Sequence, residues 1–142
     1  MNTTELASAL RIAITTLHKG LRKELAESTG YSTTELQTIG LVLKSSGILP
    51  TELARITRIT TQSMSQILSK LEKQGIISKV PSQTDKRKVW IYITPFGEEM
   101  VQKTRHERDL WLIQAFEKSL DEADLESLKK AIPALQKLAN FN

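Results

Sequence analysis

A mostly α-helical fold carrying one small β-hairpin is predicted for this 142-residue chain by three observations. Apolar residues recur at helical spacing along six stretches. The period shortens to two only once, between residues 76 and 94. Glycine, proline and hydroxyl residues punctuate the stretches where one would end and the next begin. The length suits one domain over 1–142. With only 5% aromatic residues, Leu, Ile and Val must build most of the core.

Leu6, Leu10, Ala13, Ile14, Leu17, Leu21 and Leu25 mark one long amphipathic helix over 4–28, ended near Gly30. At 1.5 Å per residue it would span roughly 37 Å, and its stripe calls for a partner helix. Ser32 or Thr33, with Glu35 close behind, caps a second helix whose stripe is Leu36, Ile39 and Leu43, stopped by Ser45-Ser46-Gly47. Pro50 opens a short third helix, TELARIT, with Leu53, Ala54 and Ile56 able to face inward. Thr60 or Thr61 caps a fourth, running to about Gln74, with Met64, Ile67, Leu68 and Leu71 on its buried side and Gly75 as its stop.

IISKV and VWIYIT then read as two strands around an eight-residue tip, PSQTDKRK. Val89, Ile91 and Ile93 share one face; Trp90 and Tyr92 share the other. Pro95 opens a helix over roughly 95–118, with Met100, Val101, Thr104, Trp111, Ala115 and Phe116 near one face. Asp121 starts a last helix with Leu125, Leu128, Ile132, Leu135 and Leu138; Pro133 should bend it. Two helices joined by a tight turn and followed at once by a hairpin form a winged helix-turn-helix, here over 30–95.

Composition excludes several functions. The absence of Cys removes disulfides, thiol switches and cysteine nucleophiles. His18 and His106, one on each long helix, read as surface or core residues, and no metal is expected. No nucleophile–base pair or Gly-rich phosphate loop appears, so no enzyme and no cofactor is expected. No apolar run approaches the ~20 residues of a membrane span, and the N-terminus lacks the form of a signal peptide. The cytoplasm is the expected compartment.

Charge is concentrated. Residues 55–90 hold eight basic and two acidic side chains, whereas residues 1–54 balance at five each and residues 91–142 hold seven basic against nine acidic. Such a segment on a folded domain suits a polyanion. With its apolar face inward, the fourth helix displays Gln62, Ser63, Ser65, Gln66, Ser69, Lys70 and Lys73, with Thr61 at its start. Gln suits adenine edges, Ser suits bases or phosphates, and the helix N-terminus adds free N–H groups. In the tip, Lys86, Arg87 and Lys88 are cationic. Asp85 makes sense as a brace for the Arg87 guanidinium, which suits a narrow minor groove. A winged-helix protein-interaction module without DNA binding is the alternative, and it has no need of this charge.

The stretch TELARITRITTQSMSQILSKLEKQGIISKVPSQTDKRKVWIYITPFG, residues 51–97, resembles the multiple-antibiotic-resistance regulator (MarR) family. The resemblance rests on the ELA helix, the polar helix closing in LEKQG, Ile76–Ile77, the D-x-R tip and ITPFG, in that order. It implies that Gln62, Ser63, Ser65 and Gln66 enter the major groove, that Arg87 enters the minor groove, and that Asp85 braces it. Gln66 and Lys79 stand where Arg is common in the family. The resemblance also implies a homodimer held by helices 4–28 and 96–139, double-stranded DNA with a palindromic operator as partner, and repression relieved by a small, often aromatic ligand. Tyr31 and His18 could line a ligand cleft or serve the core; no ligand residue is assigned.

Overall fold

A computed structural model describes residues 1–141. The order is α1 (Thr3–Thr29), α2 (Thr33–Lys44), α3 (Pro50–Thr57), α4 (Thr61–Lys73), β1 (Ile77–Pro81), β2 (Val89–Ile93), α5 (Pro95–Ser119) and α6 (Glu122–Ala139). Each boundary has a local cause. Asn2 with Glu5, Ser32 with Glu35, and Asp121 with Asp124 form reciprocal capping boxes that satisfy free N–H groups at the starts of α1, α2 and α6. Thr60 caps α4 by accepting the Ser63 N–H. Gly30, left-handed at φ 75°, ends α1 and returns its N–H to the Ala26 carbonyl.

The turn between α3 and α4 depends on Arg58, which is left-handed at φ 59° and ψ 41°. Its N–H turns back to the Ala54 and Arg55 carbonyls. A side chain in this conformation costs roughly 1–2 kcal/mol.

The core joins Ile39 and Val42 of α2, Leu53 and Ala54 of α3, Met64, Leu68 and Leu71 of α4, and Ile76, Ile77 and Ile91 of the hairpin. The phase of α2 differs from the expected stripe. Leu36 and Leu43 are only partly buried, while Thr38, Ile39 and Val42 are inside. The capping box anchors Glu35 with 8% of its surface exposed, and the Thr38 hydroxyl satisfies itself on the Thr34 carbonyl at 2.8 Å. A hydroxyl bonded this way can be buried, so the inner face is centred beside the leucines rather than on them.

β1 and β2 pair antiparallel from Ile77 opposite Ile93 to Pro81 opposite Val89. Pro81, expected in the tip, therefore closes β1, and the tip is one residue shorter, at 82–88. On its other side β2 meets Ile48: the Ile48 N–H donates to the Ile91 carbonyl at 3.1 Å and the Ile91 N–H to the Ile48 carbonyl at 2.8 Å. This third backbone partner was not expected.

At the exit from the wing, the Thr94 hydroxyl lies 2.5 Å from the Gly75 carbonyl oxygen and 3.0 Å from that of Ile76, and it accepts the Gly97 N–H. A Cβ on Gly97 would collide with the Ile76 carbonyl oxygen and the Ile93 side chain. The close approach accounts for glycine in T-P-F-G.

The chain divides into two compact units, Met1–His106 and a second from Glu107 onward. In the first, Leu25 is the buried residue of α1, while Leu6, Ile14 and Leu17 are each more than half exposed. In the second, α6 continues through Pro133 and has no buried residue; Leu128, Ile132 and Leu138 are exposed. Among the described residues, no helix is long and apolar enough to cross a membrane.

Candidate nucleic-acid interface

The spacing of Met64, Leu68 and Leu71 buries one side of α4 and turns the other outward. Thr61, Gln62, Ser63, Ser65, Gln66, Lys70 and Lys73 are exposed on it, and Ser69 is partly covered. Its first turn has no acidic residue. The Ser63 side chain is held at the N-terminus, its hydroxyl 2.9 Å from that of Thr60. Toward the C-terminal end, an open concavity is lined by Ser65, Gln66, Ser69, Lys70, Lys73 and Gln74. The helix thus offers amide and hydroxyl groups at its start and ammonium groups farther along, a distribution suited to base edges and phosphates respectively.

The two ammonium groups differ. Lys70 Nζ lies 2.7 Å from Glu35 Oε2 on α2 and 5.4 Å from the centre of the Tyr31 ring. Burial pushes the Glu35 carboxyl up. The Lys70 ammonium and the Ser32 cap outweigh burial and hold it below the usual carboxylate range. Lys73 has no ion-pair partner among the described residues.

The wing tip is a built loop. Ser82 is buried to 9% exposure, and its hydroxyl accepts the N–H groups of Thr84 at 3.3 Å and Asp85 at 3.2 Å. Its own N–H donates to the Lys88 carbonyl at 2.9 Å, closing the tip. Asp85 Oδ1 accepts the Arg87 N–H at 3.0 Å and Nε–H at 3.2 Å. The side-chain bond to Arg87, then the backbone bond, lowers the Asp85 carboxyl below its usual range. The Arg87 side chain is nevertheless 91% exposed, so the brace directs the guanidinium without enclosing it. Lys86 and Lys88 flank it, also exposed. At the base of the wing, Lys79 lies 3.8 Å from Glu72 of α4, an ion pair between hairpin and helix.

Sequence reasoning placed the exposed α4 residues and the Asp85–Arg87 pair but missed Ser82 and Glu35. A Ser opening a polar loop two and three residues before the N–H groups it accepts is the recognisable signal for the first. The second had only its capping role to announce it. His18 and His106 are exposed, and among the described residues no group of three potential metal ligands occurs. The Tyr31 hydroxyl donates to Gln74 Oε1 at 2.8 Å, just beyond α4.

The sequence profile of the MarR family matches residues 23–88, from the end of α1 through the wing tip. Over that stretch, which holds α2, α3, α4 and β1, the chain is similar to the MarR family. An HTH-type transcriptional regulator of Mycobacterium tuberculosis is 26% identical to this chain over 126 residues, covering 89% of this chain and 87% of that protein. A transcriptional regulator of Pseudomonas aeruginosa shares the fold with a TM-score of 0.77 and 27% identity, over 98% of this chain and 96% of the other. The multiple antibiotic-resistance repressor of Listeria monocytogenes superposes with a TM-score of 0.76 at 20% identity over 99% of each chain. FabT of Streptococcus pneumoniae, crystallised in complex with DNA, has a TM-score of 0.57 at 18% identity over 97% of each. The relatives matched over most of this chain are transcriptional regulators, and the solved structures share its fold.

Proposed function

We propose that this protein is a MarR-family transcriptional regulator that binds double-stranded DNA in a sequence-dependent way as a homodimer, with α4 in the major groove and Arg87 in the adjacent minor groove. One observation carries the reading: the outward face of α4 is polar and basic, and the wing presents a guanidinium held by Asp85 yet 91% exposed. Gln62 and Gln66 are the base readers, with Thr61, Ser63, Ser65 and Ser69 as hydroxyl partners to bases or phosphates. Lys73, Lys86 and Lys88 neutralise phosphates. Two copies would present two recognition helices to half-sites about one helical turn apart, hence a palindromic operator. The exposed apolar residues of α1 and, separately, of α6 support self-association, since faces of this kind are normally covered. Repression relieved by a small aromatic molecule is the regulatory reading.

A mobility-shift titration on the DNA upstream of the protein's own gene, against random duplex at several salt concentrations, tests this. Specific affinity should exceed non-specific by about 10³ or more. Equal affinity for both, with no salt dependence, would return the domain to a protein-interaction role.

A further inference from the structure

Lys70 sits on the outward face of α4, in line with Gln66 and Lys73, yet its charge is already used. Glu35 Oε1 accepts the Ser32 N–H at 2.9 Å, and Oε2, buried without a hydrogen-bond partner among the described residues, has the Lys70 ammonium 2.7 Å away as its ion-pair partner. Glu35 is 8% exposed, and Lys70 is the one cation paired with it among the described residues. A buried carboxylate held at a helix cap cannot follow a departing ammonium, and losing the partner leaves the charge uncompensated. Beside this pair, the Tyr31 hydroxyl bonds Gln74 Oε1, and the Tyr31 ring lies under the Lys70 ammonium. These ties join the chain around the start of α2 to the C-terminal half of α4 and its cap.

We infer that Lys70 is a positioning residue: with Glu35 it forms a strut that sets the pose of α4, and it neutralises no DNA phosphate. Lys73, one turn away and unpaired, is the phosphate contact of this part of the helix. The inference rests on α4 being the DNA-reading helix. A Lys–carboxylate pair carries no net charge, and an ammonium held on Glu35 makes no phosphate contact, so it displaces no counterion from the DNA.

Salt titrations of binding to operator and random duplex separate the roles, using the full chain and variants that remain folded at the assay temperature by circular dichroism. Lys73→Gln should reduce the log–log salt slope by about two for a dimer. Lys70→Gln should leave the slope unchanged while reducing operator affinity by about tenfold, a loss in the range of a charged hydrogen-bonded contact. Lys70→Arg, which keeps a cation within reach of Glu35, should restore it. Glu35→Gln retains the cap acceptor and frees Lys70, so the slope should rise by about two while operator preference falls. The double variant Glu35→Gln/Lys70→Gln should lose no more operator affinity than Lys70→Gln alone, which keeps the test decisive if a single variant folds poorly. A slope reduction by Lys70→Gln equal to that of Lys73→Gln, or an unchanged slope in Glu35→Gln, overturns the strut. If Gln62→Ala and Lys73→Gln both bind operator as the wild type does, α4 is not the reading helix, and the strut falls with that reading.

Discussion

α4 and α1 are both amphipathic, and their apolar stripes meet opposite fates. In 13 residues α4 buries Met64, Leu68 and Leu71 completely or nearly so; in 27 residues α1 buries Leu25. The difference lies in what each helix packs against. α4 is surrounded by α3, the hairpin and α2, and its leucines complete their core. α1 extends its leucines well beyond the reach of that core. In proteins most helical stability comes from packing an amphipathic face rather than from propensity, and most of the α1 stripe is exposed. The winged region is thus closed within one chain, whereas Leu6, Ile14 and Leu17 of α1 remain exposed.

The sharpest way to break this comparison is to cut the closed side. Leu68→Ala removes a side chain with 1% exposure from the centre of the core and should cost about 2–5 kcal/mol in denaturant unfolding. On the open side, Ile14→Ser with Leu17→Ser should leave the helical signal of the winged region intact while shifting the particle from dimer to monomer in sedimentation. A dimer that persists in that variant would place the self-association surface elsewhere. Arg87→Ala removes an exposed guanidinium, so unfolding should change by less than about 0.5 kcal/mol. DNA affinity should nevertheless fall, with a salt slope reduced by about two per dimer.

Acid should act on the closed side through Glu35. Its folded-state pKa lies below the ordinary value, so its contribution is complete above about pH 4.3 and is lost as pH falls through the folded value. Melting temperature should decline across that acid window, and Glu35→Gln should flatten the decline. The smallest effect concerns the turn: Arg58→Gly relieves a left-handed side chain but loosens the unfolded chain, for a net gain of about 0–1 kcal/mol in thermal unfolding.

Much of this architecture was legible from residue pattern. The order of the elements, a cap at Ser32 or Thr33 with Glu35 behind it (Ser32 in the structure), the Gly30 stop and the Asp85–Arg87 pair were readable because caps, stops and braces rest on neighbours within four residues, where local physics decides. What escaped was non-local. No local rule brings Ile48 to Ile91, or Glu35 to Lys70 thirty-five positions later. The phase of α2 was misjudged because leucines carry the strongest periodic signal, while the buried Thr38 hydroxyl and capped Glu35 look polar on paper. In the recognition face, exposure was readable from the opposite apolar stripe, but the pairing state of each lysine was not.

The backbone of Ile91 is bonded twice to Ile48 on one side of β2, and β2 is paired with β1 on the other, so the wing is rooted at its base while its tip projects free. The wing therefore behaves as a cantilever of fixed base, and the distance at which Arg87 meets its partner is set by strand length. Each added residue per strand extends that reach by about 3.4 Å, but it also turns every later side chain to the opposite face. Only changes of two residues per strand, about 7 Å, keep Arg87 and the rest of the tip on the same face relative to the fixed Ile91 and Ile93. The reach of the wing is quantised by the pleat, so its length can be altered only in steps of that size.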